Sequence, residues 1–230
     1  MIPADPGSNP GNPTIMIIMF DEDYYSGRSS GYKFGYNCFD NRHFWQTQIK
    51  EVIANKNTGR ILDIGCAYGF FLKHLPPTFE KFGMDISSFA IRKARAAVPK
   101  GKFSIGDISK RTAYSSRSFD VVTAFEVLEH VIKPSSALRE IKRLLKPDGI
   151  AIFSFPNTAS IFGRILFPMD KTHVNTSNIL KRHIAKNFWI IEKKYQFNFG
   201  WFGFTSDKIS LLPGYLLICV PKYKRLSKTK

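Results

Sequence analysis

The 230-residue chain is short of cysteine, short of acid and without any long apolar run, and each shortage excludes a class of protein. Cys38, Cys66 and Cys219 are too few and too far apart for a disulfide framework, and no CxxC pair offers structural zinc. A reducing cytoplasm is the compartment this implies. The longest apolar runs, Thr14 to Phe20 and Leu211 to Val220, fall short of the roughly 20 residues that a membrane-spanning helix needs, so no membrane span is expected. No basic stretch precedes the first apolar run, and no signal peptide is read. Acids number 18 against 34 Lys and Arg, a formal net charge of +16. Residues 150–230 hold 13 Lys/Arg and 3 acids, leaving 21 and 15 for residues 1–149. An anionic partner for the C-terminal third is one reading of that imbalance; a solvated basic face is the other.

What is present argues for a packed domain. With 43% apolar and 14% aromatic residues, 16 Gly and 13 Pro, the chain can bury a core, which excludes a disordered or fibrous protein. Residues 1–13, with four prolines and two glycines, read as a flexible tail. Residues 14–222 read as a single domain, and residues 223–230 as a basic tail. Within the domain, residues 21–57 form a Tyr-rich lid followed by a helix on which Trp45, Ile49, Val52 and Ile53 share a face. Residues 58–157 alternate strand and helix. Strands are expected at Arg60–Ile64, Lys81–Asp85, Lys102–Ile105, Val121–Phe125 and Ile150–Phe155, with helices ending near Leu75, capped by Ser87 or Ser88, and starting at Ser135. That alternation predicts a parallel sheet covered by helices on both faces. Residues 158–222 contain an irregular stretch, a short basic helix and two final strands, Phe188–Phe197 and Leu216–Val220.

The chemistry gathers at Leu62-Asp-Ile-Gly-Cys-Ala-Tyr-Gly69, a glycine-rich turn between the first strand and first helix. Such a turn lies at the carboxyl edge of a doubly wound sheet, where ligands bind. Asp85, at the end of the second strand, is placed to accept both hydroxyls of a ribose. A nucleoside-containing ligand is implied. The dinucleotide pattern GxGxxG fails, because the positions that need glycine hold Gly65, Ala67 and Phe70. The phosphate-gripping pattern GxxxxGK[ST] is absent.

In these residues the chain resembles the class I S-adenosylmethionine-dependent methyltransferases, over roughly Gly59 to Asn157. The turn resembles that family's first motif, with Ala67 where glycine is usual. Gly83-Met-Asp85 is similar to its ribose-binding acid, and Gly106-Asp107-Ile108 to its adenine-binding acid. Phe119-Asp-Val-Val122 with Phe125-Glu-Val-Leu-Glu-His130, and Leu144-Leu-Lys-Pro-Asp-Gly149, resemble the fourth strand, the helix start after it and the turn before the fifth. The resemblance implies a doubly wound, seven-stranded, mostly parallel Rossmann-like sheet in the order 3-2-1-4-5-7-6, the last strand antiparallel. It also implies S-adenosyl-L-methionine as cofactor. Asp63 with Gly65, Cys66, Ala67, Tyr68 and Gly69 would hold the methionine part, Asp85 the ribose, and Asp107 and Ile108 the adenine, with Ile86, Phe125 and Glu126 also contacting the cofactor. Read alone, Asp85 could instead cap a helix and Asp107 could belong to a turn.

The acceptor is read from the residues beyond strand four. No Asn/Asp-Pro-Pro-Tyr/Phe sequence stands there, and no cysteine stands directly after strand four or five to serve pyrimidine carbon methylation. Glu126, Glu129 and His130 with Phe155-Pro-Asn157 and His173 are more like the small-molecule branch that includes ubiquinone-pathway O-methyltransferases. The resemblance extends to members, and to small-RNA ribose methyltransferases, that bind a divalent ion through ExxEH. Here no metal is expected, Glu126 touching cofactor while Glu129 and His130 cap and pack. His173 and His130 are the candidate catalytic residues. The expected function is methyl transfer to an oxygen or nitrogen of a small metabolite, sugar or lipid-linked precursor. The alternative is an RNA-modifying or RNA-binding protein that uses the basic C-terminal third.

Overall fold

The computed structural model describes residues 20–30, 34–158, 160, 173–199, 202–206, 212 and 214–223. The expected flexible tail at residues 1–13, much of the irregular stretch before Thr176 and the basic residues after Tyr223 lie outside them.

Eight strands form one sheet: β1 (Gly59–Ile64), β2 (Phe79–Asp85), β3 (Lys102–Ile105), β4 (Phe119–Phe125), β5 (Leu145–Pro156), β6 (Phe188–Phe199), β7 (Phe202–Ser206) and β8 (Gly214–Pro221). Their order is β3-β2-β1-β4-β5-β8-β6-β7. β1 to β5 run parallel, β8 is antiparallel to β5, and β6 is antiparallel to β8. The expected order is therefore observed with one correction: the sheet has eight strands, not seven. The extra strand, β7, doubles back from the end of β6 and pairs Tyr195–Phe199 antiparallel. Its five residues include Gly203, which breaks the alternation by which a strand is recognised.

Helices cover both faces. α1 (Glu22–Ser26) precedes α2 (Arg42–Asn55), which with α3 (Phe70–His74) and α4 (Ser88–Ala97) lies over one face. α5 (Pro134–Leu144) and α6 (Ser177–Asn187) cover the other. α2 starts where the Asn41 side chain accepts the His43 N–H, and buries Trp45, Ile49 and Val52; Ile53, assigned to the same face, is instead exposed. Ser87 caps α4 by accepting the Ala90 N–H at 3.2 Å, which satisfies one of the donors a helix start leaves open. The run Ile150–Pro156 along β5 is buried throughout and apolar except at Ser154, as suits a strand covered by helices on both faces.

Two further expectations change. After β4 the chain does not enter a helix: Glu126 has φ 54 and Leu128–His130 make one 3-10 turn, because Pro134 restarts the helical run as the first residue of α5. The tail does not begin at Tyr223. That hydroxyl lies 2.6 Å from the carbonyl oxygens of both Lys142 and Leu145 and shares its proton between them, sealing the end of α5.

Candidate functional site

The turn after β1 is shaped by backbone needs that its residues meet unequally. Gly65 (φ 67) and Gly69 (φ 73) occupy the left-handed region, and so does Ala67 (φ 46). A Cβ on Gly65 would meet Val127 Cγ2 at 2.3 Å, so glycine is required there by packing as well as by φ. Ala67 carries its Cβ at a cost, since this region disfavours side chains. That backbone requirement explains why glycine is usual at its position. Gly65 and Cys66 donate to the Met84 carbonyl at 2.7 and 3.1 Å, tying the turn to the end of β2.

Asp85 is the hub. Its Oδ2 accepts the Ala67 N–H and its Oδ1 the Ser87 N–H, both at 2.9 Å, while its own carbonyl accepts the Gly106 N–H. Thus Asp85 does brace the start of α4, and it joins the glycine-rich turn, β2 and the end of β3 in one network. A carboxylate offers about four acceptor positions, so Asp85 keeps acceptor capacity beyond these N–H groups. Asp63, beneath the turn, accepts a hydrogen bond from Thr123 Oγ1 at 2.7 Å. Burial pushes Asp63 up to about 7 and Asp85 up to about 6, against the lowering effect of those hydrogen bonds. Two buried carboxyls with few compensating donors make a site that favours a cationic ligand. Asp107 makes a turn, its Oδ1 accepting the Ser109 N–H at 2.8 Å, beside buried Ile108. Ile86 is half-buried just after β2.

An aromatic segment lies over this edge. Tyr25 stands 5.0 Å from Tyr68 and 6.3 Å from Phe89, ring to ring. Tyr36 stands 5.1 Å from Tyr68 and stacks on Phe70 at 5.9 Å. Burial, with the charges of Asp63 and Asp85, pushes the Tyr36 phenol well above its ordinary range. The Tyr-rich lid residues thus face the turn and its carboxyls.

At the end of β4, Phe125 packs edge-on against Phe71 at 4.9 Å. Glu126 Oε1 accepts from Ser154 Oγ at 2.7 Å and from Gln196 Nε2 at 3.3 Å. Burial, and for Glu129 also the facing charge of Glu126, push both carboxyls above the ordinary range, so the pair retains a proton. Among the described residues, neither oxygen of buried Glu129 meets an N–H or hydroxyl donor.

The two candidate catalytic histidines are brought together. Val174 and Asn175 donate their N–H groups to the Glu129 carbonyl at 2.8 and 3.1 Å. The Asn175 side chain donates to the carbonyls of Val131 at 2.6 Å and Leu128 at 3.3 Å. That clasp sets the His173 ring 4.7 Å from the His130 ring, and Phe20 approaches His130 edge-on at 5.8 Å. Glu129, His130 and His173 each present a ligand atom, all within 4.8 Å of one another. Where the sequence predicts no metal, these three side chains have the spacing and donor types to take a divalent cation. Thr123, Ser154, Asn175 and Gln196 are the site residues that sequence reading missed. Only Asn175, two residues after His173, carried a positional cue.

Known proteins resemble this chain. A family model described as Methyltransferase domain matches residues 39–197. A ubiquinone biosynthesis O-methyltransferase of Actinobacillus pleuropneumoniae is 32% identical over 107 residues, 43% of this chain and 46% of that protein. Its counterpart in Albidiferax ferrireducens is 34% identical over 104 residues, 43% and 41% of the two chains. The matches thus span less than half the length of these relatives. Among solved structures, a Pyrococcus horikoshii protein superposes with a TM-score of 0.66 at 20% identity, covering 89% of this chain and 98% of that one. The N-methyltransferase NodS of Bradyrhizobium japonicum, in complex with S-adenosyl-L-homocysteine, superposes with a TM-score of 0.62 at 18% identity, covering 88% and 100%.

Proposed function

We propose, from the premise that this chain belongs to the methyltransferase-domain family, that it transfers a methyl group from S-adenosyl-L-methionine to an oxygen or nitrogen of a small acceptor. The observation that carries the reading is the Asp85 network: a buried carboxylate fixed by two backbone N–H groups at the rim of a glycine-rich turn, with acceptor capacity to spare. These residues fit the cofactor. Asp85 suits the two ribose hydroxyls, Asp63 the ammonium of the methionine part, and Asp107 with Ile108 the adenine. Bound there, the cofactor supplies an activated methyl group on a sulfonium. The chain's own task is to orient, enclose and manage one proton. Tyr25, Tyr36 and Tyr68 exclude water above the turn, and holding donor and acceptor in line is worth up to roughly 7–11 kcal/mol. His173 and His130 take the proton that a hydroxyl acceptor must lose.

The Glu129 carboxyl, short of N–H and hydroxyl donors among the described residues and close to two imidazoles, favours a second reading of that proton step. In it Glu129, His130 and His173 would hold a divalent cation, which would supply Lewis-acid activation of the hydroxyl there. The ubiquinone-pathway relatives direct the search for the acceptor toward hydroxylated rings, and the family toward small metabolites, sugars and lipid-linked precursors more widely. The experiment is incubation with methyl-labelled S-adenosylmethionine and a panel of catechols, sugars and amines. Label entering one acceptor class supports the proposal; none entering any class, with the cofactor bound, contradicts it.

A further inference from the structure

The first half of β6 carries three consecutive exposed apolar side chains: Trp189, Ile190 and Ile191 are 62%, 38% and 54% exposed. Among the described residues, the other large exposed apolar side chains, such as Phe34 and Ile105, stand singly. Single ones are ordinary; here three crowd one strand edge, Trp189 beside Val220 on one face of the sheet and Ile190 beside Cys219 on the other, so apolar surface wraps around that edge, and such a cluster marks a contact surface. Along Phe188–Lys194, β6 pairs with β8 on one side, while β7 reaches only Tyr195–Phe199 on the other. Among the described residues, this stretch is therefore an open sheet edge.

Its surroundings are basic. Lys222 Nζ lies 3.9 Å from the centre of the Trp189 ring. Arg182, Lys186 and Lys193 are exposed nearby in the chain. Glu192 is the one acid between Ser177 and Phe199, and Lys194 pairs with it at 3.0 Å. Past Lys222 the sequence adds Lys224, Arg225, Lys228 and Lys230 without an acid.

Three occupants can be weighed. Strand addition from another chain needs an unbroken ladder, but the register of β6 shifts between Ile190 and Glu192, and such a bulge is a device that blunts edges. A nucleic acid would match the lysines and leave Ile190 and Ile191 against water. An anionic bilayer matches both: Trp sits at the headgroup level, Ile reaches the acyl boundary, and Lys and Arg lie among the phosphates. We infer that the Trp189–Ile191 edge, with Lys186, Lys193 and Lys222, docks this protein peripherally on the surface of an anionic lipid bilayer.

The inference does not depend on the methyl-transfer reading. Phe188 pairs with Pro221 at the amino edge of the sheet, opposite the edge that carries Asp85 and Glu126. Docking there leaves the candidate site facing away from the lipid, so vesicles should not change its ligand affinity. The test is sedimentation of the full chain with vesicles of phosphatidylcholine alone and of equal parts phosphatidylcholine and phosphatidylglycerol. The protein should partition at least about tenfold more strongly to the anionic vesicles, and less so as salt rises. Trp189→Ser combined with Ile191→Ser should reduce that partition about tenfold, with an unchanged melting temperature showing that the variant folds. Should the double variant melt early, Lys222→Glu serves as the second variant and should weaken partition in the same direction. No partition to anionic vesicles, or partition that folded patch variants retain in full, overturns the inference. So does binding of a single-stranded RNA that the same variants abolish while vesicles go unbound.

Discussion

The rings of His130 and His173 stand 4.7 Å apart because Asn175 fastens the segment carrying one to the turn carrying the other. Asn175→Ala removes two side-chain donors and leaves the carbonyls of Leu128 and Val131 short of a partner. It should cost about 1–3 kcal/mol of stability in denaturant unfolding. Once an acceptor is known, turnover should fall more than cofactor affinity does.

The proton step separates two chemistries through His173. With an imidazole as base, turnover survives EDTA and falls by about 100-fold or more in His173→Ala. With a cation held by Glu129, His130 and His173, EDTA abolishes turnover and Mg²⁺ or Mn²⁺ restores it. Initial rates with and without chelator decide between them.

Asp63 and Asp85 make stability depend on pH. In the unfolded chain both ionise near pH 4, whereas in the fold burial raises them to about 7 and about 6. Between those limits the folded state binds more protons, so stability falls as pH rises through that window and levels above it. The Glu126–Glu129 pair acts in the same direction. Without ligand, the protein should melt at a lower temperature at about pH 7.5 than at about pH 5.5. Asp63→Asn should keep the Thr123 contact, flatten the profile and gain roughly 1–3 kcal/mol at the higher pH. A stability that climbs with pH in the wild type would contradict this.

Ala67 offers a test that needs no ligand. Its φ of 46 places a Cβ where glycine is favoured. Ala67→Gly should stabilise the fold by about 1 kcal/mol, read as a higher midpoint in urea.

How much of each element is legible in the sequence depends on what its residues pair with. β1, β2, β4 and β5 are legible because buried parallel strands are short apolar runs, and the place of Asp85 at the end of β2 because its distance from Gly65 is set by one helix and one strand. Asn175 is not, since its partners are main-chain carbonyls of Leu128 and Val131, which no side-chain pattern announces. Ser154 and Gln196 look like stray polar residues within strands until both are seen to donate to Glu126. The helix expected after β4 is absent because its apolar and charged spacing is met equally by a 3-10 turn ahead of Pro134. Tyr223 reads as tail because a lone Tyr among lysines carries no sign of the two carbonyls it reaches.

The central claim, a sulfonium-nucleoside site built on Asp85, is tested most directly by calorimetric titration with S-adenosyl-L-homocysteine, using Asp85→Ala as the comparison and NAD as the competing ligand. Saturable binding of one molecule per chain is expected in the micromolar range usual for metabolic ligands. It should be weakened by at least about 2 kcal/mol in the variant, which on the proposed reading loses the acceptor of both ribose hydroxyls. Binding of NAD in its place, or equal affinity in wild type and Asp85→Ala, would contradict the account.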